Sequence, residues 1–150
     1  MWKEYIDKIK EEKNIYGEMI NEGAEDAAIK TLNKKLKHCF DLEIPQGYAA
    51  ILKYVNGLEF NCYILYGIDE ENGNNCSNQL IHGIMEMNSI WYENENQKSY
   101  LFLGESNISW YVYKIDTCEY FELDNPSGSV LEKYNSFEEM FNHMLEESLL

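Results

Sequence analysis

Apolar residues in the first third of the chain recur every three or four positions, which is the period of an amphipathic helix. In the first such stretch, lysines and glutamates separate the apolar residues Trp2, Tyr5, Ile6 and Ile9. Gly23 then interrupts the pattern. A second helix, ending near Phe40, is predicted by the spacing of Ala27, Ala28, Leu32 and Leu36.

A third helix is predicted to begin at Pro45, because proline lacks only an N–H that the first turn of a helix leaves unused. Its buried stripe would consist of Tyr48, Ile51, Leu52 and Val55. Asn56 and Gly57 would end the helix, since both residues tolerate the left-handed backbone conformation that closes helices.

From residue 60 the apolar period changes to two, which predicts a strand over residues 60–68 and then a polar loop over 69–78. Residues 79–92 are expected to form partly helical turns. Further strands are predicted at 100–103, 108–115 and 119–123, with a short one at 129–131. Turns are predicted at 104–107 and 124–128 from their Gly, Asn, Pro and Ser content.

The last element is predicted to be a helix with Ser136 as its N-cap and Glu139 completing a capping box. Its apolar face would consist of Phe137, Met140, Phe141, Met144 and Leu145. Helices, then mostly antiparallel strands, then a helix indicate an α+β fold in which helices pack on a sheet. A length of 150 residues suits a single domain.

Negative charge is concentrated in the later part of that domain. The chain has 12 lysines, no arginine and 27 acidic residues, a net charge of −15. Residues 1–40 form a charge-balanced helical section with 8 lysines and 8 acids, and residues 41–150 form the acidic α+β body with 4 lysines and 19 acids. A charge of −15 repels phosphate, so nucleic-acid binding is not expected.

The sequence predicts neither a membrane segment nor a secretion signal. No apolar run approaches the roughly 18 residues of a membrane-spanning helix, and the charged N-terminus lacks the apolar core of a signal peptide. We therefore expect a cytoplasmic protein whose four cysteines are free thiols. They are Cys39, Cys62, Cys76 and Cys118.

Motifs for catalysis, cofactors or metals are not found in the sequence. The three histidines are far apart and are interpreted as structural: His38, His82 and His143. The acidic stretch from Asp69 fails the EF-hand pattern, because Asn74 and Leu80 occupy the sixth and twelfth positions. We expect no catalytic residue, no cofactor and no metal site, although an enzyme with an unrecognised site remains a third hypothesis.

Several ordered motifs are similar to those of a known family. Ile44-Pro45, a helix, Asn56-Gly57 and a strand ending at residues 66–68 resemble the SUKH superfamily of Smi/Knr-like proteins, especially its small YrhA-like bacterial members. The similarity spans about residues 40–148 and continues through Gly104, before a hairpin, to the closing helix. Residues 79–95 depart from the family pattern.

The resemblance implies a binding protein without catalytic residues. Bacterial members are widely immunity proteins that neutralise a toxin domain, often a nuclease, and fungal relatives act in cell-wall signalling. The motif residues would be structural: Ile44, Pro45, Asn56, Gly57 and Gly104. The first hypothesis is therefore an immunity protein, and the second is a regulatory scaffold module with no toxin partner.

The charge is compatible with the first hypothesis, since an acidic protein can cover the basic groove of a nuclease. Equally, the acidity could serve only to keep the protein soluble. If it is functional, the expected contacts are acids in three segments, aided by an exposed Trp or Tyr. Trp110 and Tyr111 are consecutive on a strand and point to opposite faces, so one could be exposed, and the alternative for both is packing within the fold. These candidate residues are Asp69, Glu70, Glu71, Glu93, Glu95, Glu105, Trp110 and Tyr111. The oligomeric state is left open.

Overall fold

The computed structural model describes residues 1–70 and 77–150. Its helices are α1 (Trp2–Ile15), α2 (Asp26–Phe40), α3 (Gln46–Tyr54), α4 (Ile84–Trp91) and α5 (Phe137–Ser148), with a 3-10 helix at Glu95–Ser99. Its strands are β1 (Leu58–Phe60), β2 (Tyr63–Leu65), β3 (Tyr100–Glu105), β4 (Ser109–Lys114), β5 (Glu119–Asp124) and β6 (Val130–Tyr134).

The strands form one antiparallel sheet in which every strand lies beside its neighbours in sequence, in the order β1-β2-β3-β4-β5-β6. Helices from both ends of the chain pack on this sheet. The predicted α+β class is thus confirmed, and so are the helices at the two ends. The helix α4 occupies the later half of the segment that was expected to form partly helical turns.

The prediction of one continuous strand over residues 60–68 is wrong. β1 and β2 form a hairpin in which Phe60 pairs with Tyr63, and the chain reverses at Asn61 and Cys62. These two turn residues have φ angles of 47° and 70°, the left-handed values that a tight two-residue hairpin turn requires. Asparagine tolerates this conformation, but cysteine is not a typical turn residue, so the residue types give little indication of a turn. The alternation of apolar residues continues through the turn and therefore resembles that of a single strand.

Both faces of the sheet are covered, and this overturns the expectation of an exposed aromatic residue on β4. Trp110 faces α4, where its ring lies 5.2 Å from that of Trp91. Tyr111 points to the opposite face, where it pairs across the strands with Glu122 beneath α5. Trp110 is 3% exposed and Tyr111 is 1% exposed, so neither side chain is available to a partner.

The N-terminus of α5 has the predicted serine cap with one difference. The Ser136 hydroxyl accepts a hydrogen bond from the Glu139 N–H at 3.1 Å, as a capping box requires. The Glu139 carboxylate, however, accepts from the Asn135 N–H at 2.9 Å, one residue before the cap. The cap still satisfies backbone donors and directs the apolar face of α5 onto the sheet.

The Asn88 side chain makes the hydrogen bonds that a neighbouring strand would otherwise make with Phe102 of β3. β2 pairs with β3 only at Gly104 and Glu105, which leaves the backbone of Phe102 beyond the paired region. The fully buried Asn88 side chain accepts from the Phe102 N–H at 2.7 Å and donates to the Phe102 carbonyl at 2.9 Å. One side chain on α4 therefore satisfies two buried backbone groups of the sheet.

We predict that Asn88→Ala lowers the free energy of unfolding by roughly 2–4 kcal/mol, because it leaves the Phe102 N–H and carbonyl buried without partners. Urea denaturation measures this change. Ser89→Ala is the matched control on the exposed side of α4 and should change the stability by less than about 0.5 kcal/mol. Equal losses in the two variants would contradict this role for Asn88.

Candidate functional site

The motif residues of the sequence lie where chain segments approach closely. Gly57 has a φ angle of 79°, and the Asn56 side chain accepts a hydrogen bond from the Ile68 N–H at 2.8 Å. A Cβ atom on Gly104 would lie 2.7 Å from the Ile64 carbonyl oxygen of β2. Each of these positions has a local structural reason for its residue type.

Ile44 and Pro45 also line a groove with a volume of about 850 Å³. Its walls are residues 41–47 and 50, the end of the β4–β5 hairpin and the start of α5. The floor is aromatic, because Tyr120 lies between two rings, with centroid distances of 5.2 Å to Tyr113 and 5.9 Å to Phe137. We call this cavity the α3–α5 groove.

Carboxylates are the only charged side chains that line the α3–α5 groove within the described residues. Asp41 and Glu43 lie on one wall and Glu138 on the other, and all three are exposed. Asp41 also forms an exposed ion pair with Lys37 at 3.0 Å. The groove therefore joins an apolar floor to a negative rim, an arrangement suited to a segment with both apolar and cationic side chains.

The floor tyrosines remain neutral. Burial, followed by the hydrogen bond to Cys118, raises the pKa of Tyr113 to about 12. Burial is also the main cause that raises the pKa of Tyr120. Their hydroxyl groups are thus uncharged at physiological pH and can donate or accept hydrogen bonds.

The acids that were expected to contact a partner do not form one exposed surface. Asp69 caps α4, because its carboxylate accepts from the backbone N–H groups of Met85 at 2.8 Å and Glu86 at 2.9 Å. Glu70 accepts from the Ser77 hydroxyl at 2.9 Å. Glu71 lies outside the described residues. Asp69 therefore has a structural role that its place in a polar loop did not reveal.

Glu93 and Glu95 are exposed, and Glu95 pairs with Lys98 at 3.0 Å. Glu105 is half-buried, so it presents less of its carboxylate to solvent than the sequence suggested. None of these acids lines the α3–α5 groove. Two of the three groove acids could have been associated with the Ile44-Pro45 motif, because Asp41 and Glu43 come just before it in the sequence. The third, Glu138, lies on a helix far away in the sequence.

A second polar cluster lies between α5 and the sheet, around the buried Glu122. Its two carboxylate oxygens accept from Ser109 at 2.6 Å and from Tyr134 at 3.0 Å. The His143 ring nitrogen lies 3.9 Å from Glu122 and 2.9 Å from Glu147. These two hydrogen bonds join β5 to β4 and β6, and α5 meets the cluster through His143 and through Glu147, which accepts from Tyr63 of β2 at 3.2 Å.

Burial also makes the tyrosines near this cluster poor acids. It is the main cause that raises the pKa of Tyr111, of Tyr134 and of Tyr63. The Tyr111 hydroxyl is buried without a hydrogen-bond partner among the described residues. No group of three or more His, Cys, Asp or Glu side chains in that part of the chain is arranged to hold a metal ion.

The family comparison does not identify the chain. No protein-family model matches it, and a search of curated proteins finds no match. Within residues 1–70 and 77–150, no helix is both long and apolar enough to cross a membrane.

Glu105 gives a pH-dependent prediction. Burial raises the pKa of its carboxyl from the ordinary 4.5, and this outweighs the hydrogen bond from Tyr66. Because the pKa is higher in the folded than in the unfolded state, the free energy of unfolding falls as pH rises through the interval between the two values.

We predict that Glu105→Gln is more stable than the wild type at pH 7, because glutamine avoids burying a charge and still accepts from Tyr66. The difference should disappear at about pH 4, below the unfolded-state pKa. Urea denaturation at both pH values is the measurement. The exposed Glu93→Gln is the control, and an equal effect in it would point to net charge instead of burial.

Proposed function

We propose that this protein is an immunity protein, which binds a cognate bacterial toxin domain in a stoichiometric complex and blocks it. The observation that supports the proposal is the α3–α5 groove, whose aromatic floor is bordered by Asp41, Glu43 and Glu138. The motifs that resemble SUKH proteins supply the class of partner. The inhibition would take place in the cytoplasm.

The groove suits a protein partner with a basic surface. An apolar side chain of the partner can pack against the half-buried rings of Tyr113 and Tyr120, which supply rigid contact area at little conformational cost. Lysine or arginine side chains beside it can then pair with the rim carboxylates. A nuclease requires such cations for its own phosphate substrate, so covering them would block its activity.

The net charge of −15 acts at longer range. It attracts a basic partner before contact and raises the association rate, an effect that salt screens. The groove would then determine how long the complex lasts, because packing and desolvated charge pairs mainly affect dissociation. Charge and groove thus have separable kinetic effects.

The proposal is tested by co-expression in a sensitive cell of the toxin domain encoded beside this gene, with and without this protein. Rescue of growth, together with a 1:1 complex on a sizing column, would support immunity. Growth arrest despite expression of folded protein, with no complex, would overturn it for that toxin. Partners captured in its place from the host would favour the regulatory module.

The groove itself is tested by charge reversal. We predict that Glu43→Lys with Glu138→Lys weakens toxin binding at least about tenfold, because two attractions at the groove become repulsions. Glu93→Lys with Glu95→Lys is the matched control, with the same change in net charge at exposed sites outside the groove. Surface plasmon resonance at two salt concentrations separates dissociation from long-range attraction.

Equal weakening in both double variants, confined to the association rate, would show that net charge alone governs binding. A larger loss in the Glu93 and Glu95 variant would place the interface on the segment first suggested by the sequence. Thermal unfolding of all variants verifies that each is folded.

A further inference from the structure

Two tyrosines in the floor of the α3–α5 groove keep part of their rings exposed. Tyr113 and Tyr120 lie directly opposite each other on β4 and β5, with ring centres 5.2 Å apart, and both are half-buried. Phe137 is buried behind them, with its ring centre 5.9 Å from that of Tyr120. The groove therefore offers tyrosine ring surface to a side chain that enters it.

In the described part of the chain, no lysine lies over the rings of the groove floor. The lysine ammonium groups that lie within 6 Å of an aromatic ring are all in α1, and they face rings outside the groove. On the neighbouring strands, Lys133 pairs with Glu119. Glu119 precedes Tyr120 on β5 and so points to the opposite face of the sheet. The rings of the floor are thus open to a cation from a partner.

The rim carboxylates are also open to a partner. Within residues 1–70 and 77–150, neither Glu43 nor Glu138 forms an ion pair, and both side chains are exposed. Asp41 pairs with Lys37 at 3.0 Å, but both side chains of this pair are exposed, and such pairs contribute little. A cation in the groove would therefore meet carboxylates that are not held by other partners.

A guanidinium group suits this combination of floor and rim better than an ammonium group does. The guanidinium is planar, so its face can stack on a tyrosine ring while its N–H groups, which lie in its plane, bind a carboxylate in bidentate fashion. An ammonium group is compact and strongly hydrated, and it would lose water above a half-buried ring. The rim alone would attract both cations, and the aromatic floor distinguishes between them.

We propose that the α3–α5 groove is a recognition site for an arginine side chain of the partner, which stacks on the tyrosine floor and pairs with the rim carboxylates. This inference rests on the proposed function, because it takes the groove as the surface that receives the partner and specifies the side chain received. The chain contains no arginine of its own that could fill the site.

Two peptides of equal charge test the preference for arginine without any toxin. Both are acetylated and amidated, one with the sequence Gly-Arg-Leu-Arg-Gly and the other with lysine in place of each arginine. NMR titration of the isotope-labelled full chain measures the affinity and locates the binding site. We predict that the arginine peptide binds at least about fivefold more tightly and shifts the signals of the groove residues.

Replacing a floor ring separates stacking from charge. Tyr120→Leu keeps the floor apolar but removes an aromatic ring, so it should bring the affinities of the two peptides to nearly the same value. Tyr100→Leu is the matched control, because Tyr100 is a half-buried tyrosine on β3 outside the groove. It should retain the preference for arginine.

A change at the rim gives a second test that leaves the packing of the floor intact. Glu43→Gln with Glu138→Gln should weaken binding of the arginine peptide at least about fivefold, since the bidentate carboxylate partners are lost. Glu93→Gln with Glu95→Gln makes the same change in net charge at exposed sites outside the groove and should have a much smaller effect.

Three results would overturn the arginine site: equal affinities of the two peptides for the wild type, binding that shifts only signals outside the groove, or equal losses in the two glutamine variants. Each would leave the immunity proposal standing, because rescue and complex formation with the toxin are measured without the peptides. Conversely, a preference for arginine at the groove, together with no rescue and no complex, would overturn only the immunity proposal for that toxin.

Discussion

A buried hydrogen bond from the Tyr48 hydroxyl to the Tyr66 carbonyl, 2.6 Å long, connects the helices to the sheet. Tyr48 lies on α3 and its ring packs against Phe137 of α5, so the same side chain fixes the distance between these two helices. The Tyr66 hydroxyl in turn accepts from Trp91 at 3.0 Å and bonds to Glu105. Because Tyr48 and Tyr66 are both fully buried, breaking the bond between them leaves polar atoms without water or partner. The width of the α3–α5 groove depends on this chain of contacts.

Hydrogen bonds of the Asn21 side chain fix the chain just after the C-terminal end of α3. Asn21 donates to the carbonyls of Asn56 at 3.1 Å and Gly57 at 3.4 Å, and accepts from the Gln79 N–H at 2.6 Å. It thereby joins the α1–α2 connection to two later segments. The sequence indicated Asn56 and Gly57 as the end of a helix, because their conformational preference is local. It gave no sign of Asn21, whose importance comes only from segments 35 or more residues away.

The difference between local preferences and long-range contacts also decides which other features could be predicted from the sequence. Helices α1, α2 and α5 follow from apolar periodicity and a serine cap, both of which are readable within a few turns. The turn at Asn61 and Cys62 was missed, since alternation looks alike in one strand and in two short ones. The sequence left open whether one of Trp110 and Tyr111 is exposed, and both are buried because α4 and α5 cover both faces of the sheet. Burial is a property of the whole packing arrangement and cannot be deduced from one strand.

The uneven distribution of charge bears on where a basic partner would bind. A basic partner gains from every acid of residues 41–150, whereas a second copy is repelled by all of them. The rim of the α3–α5 groove belongs to this acidic part of the chain and therefore suits a basic partner. Solubility alone would require only net charge and would not account for balance in one section beside excess in the other.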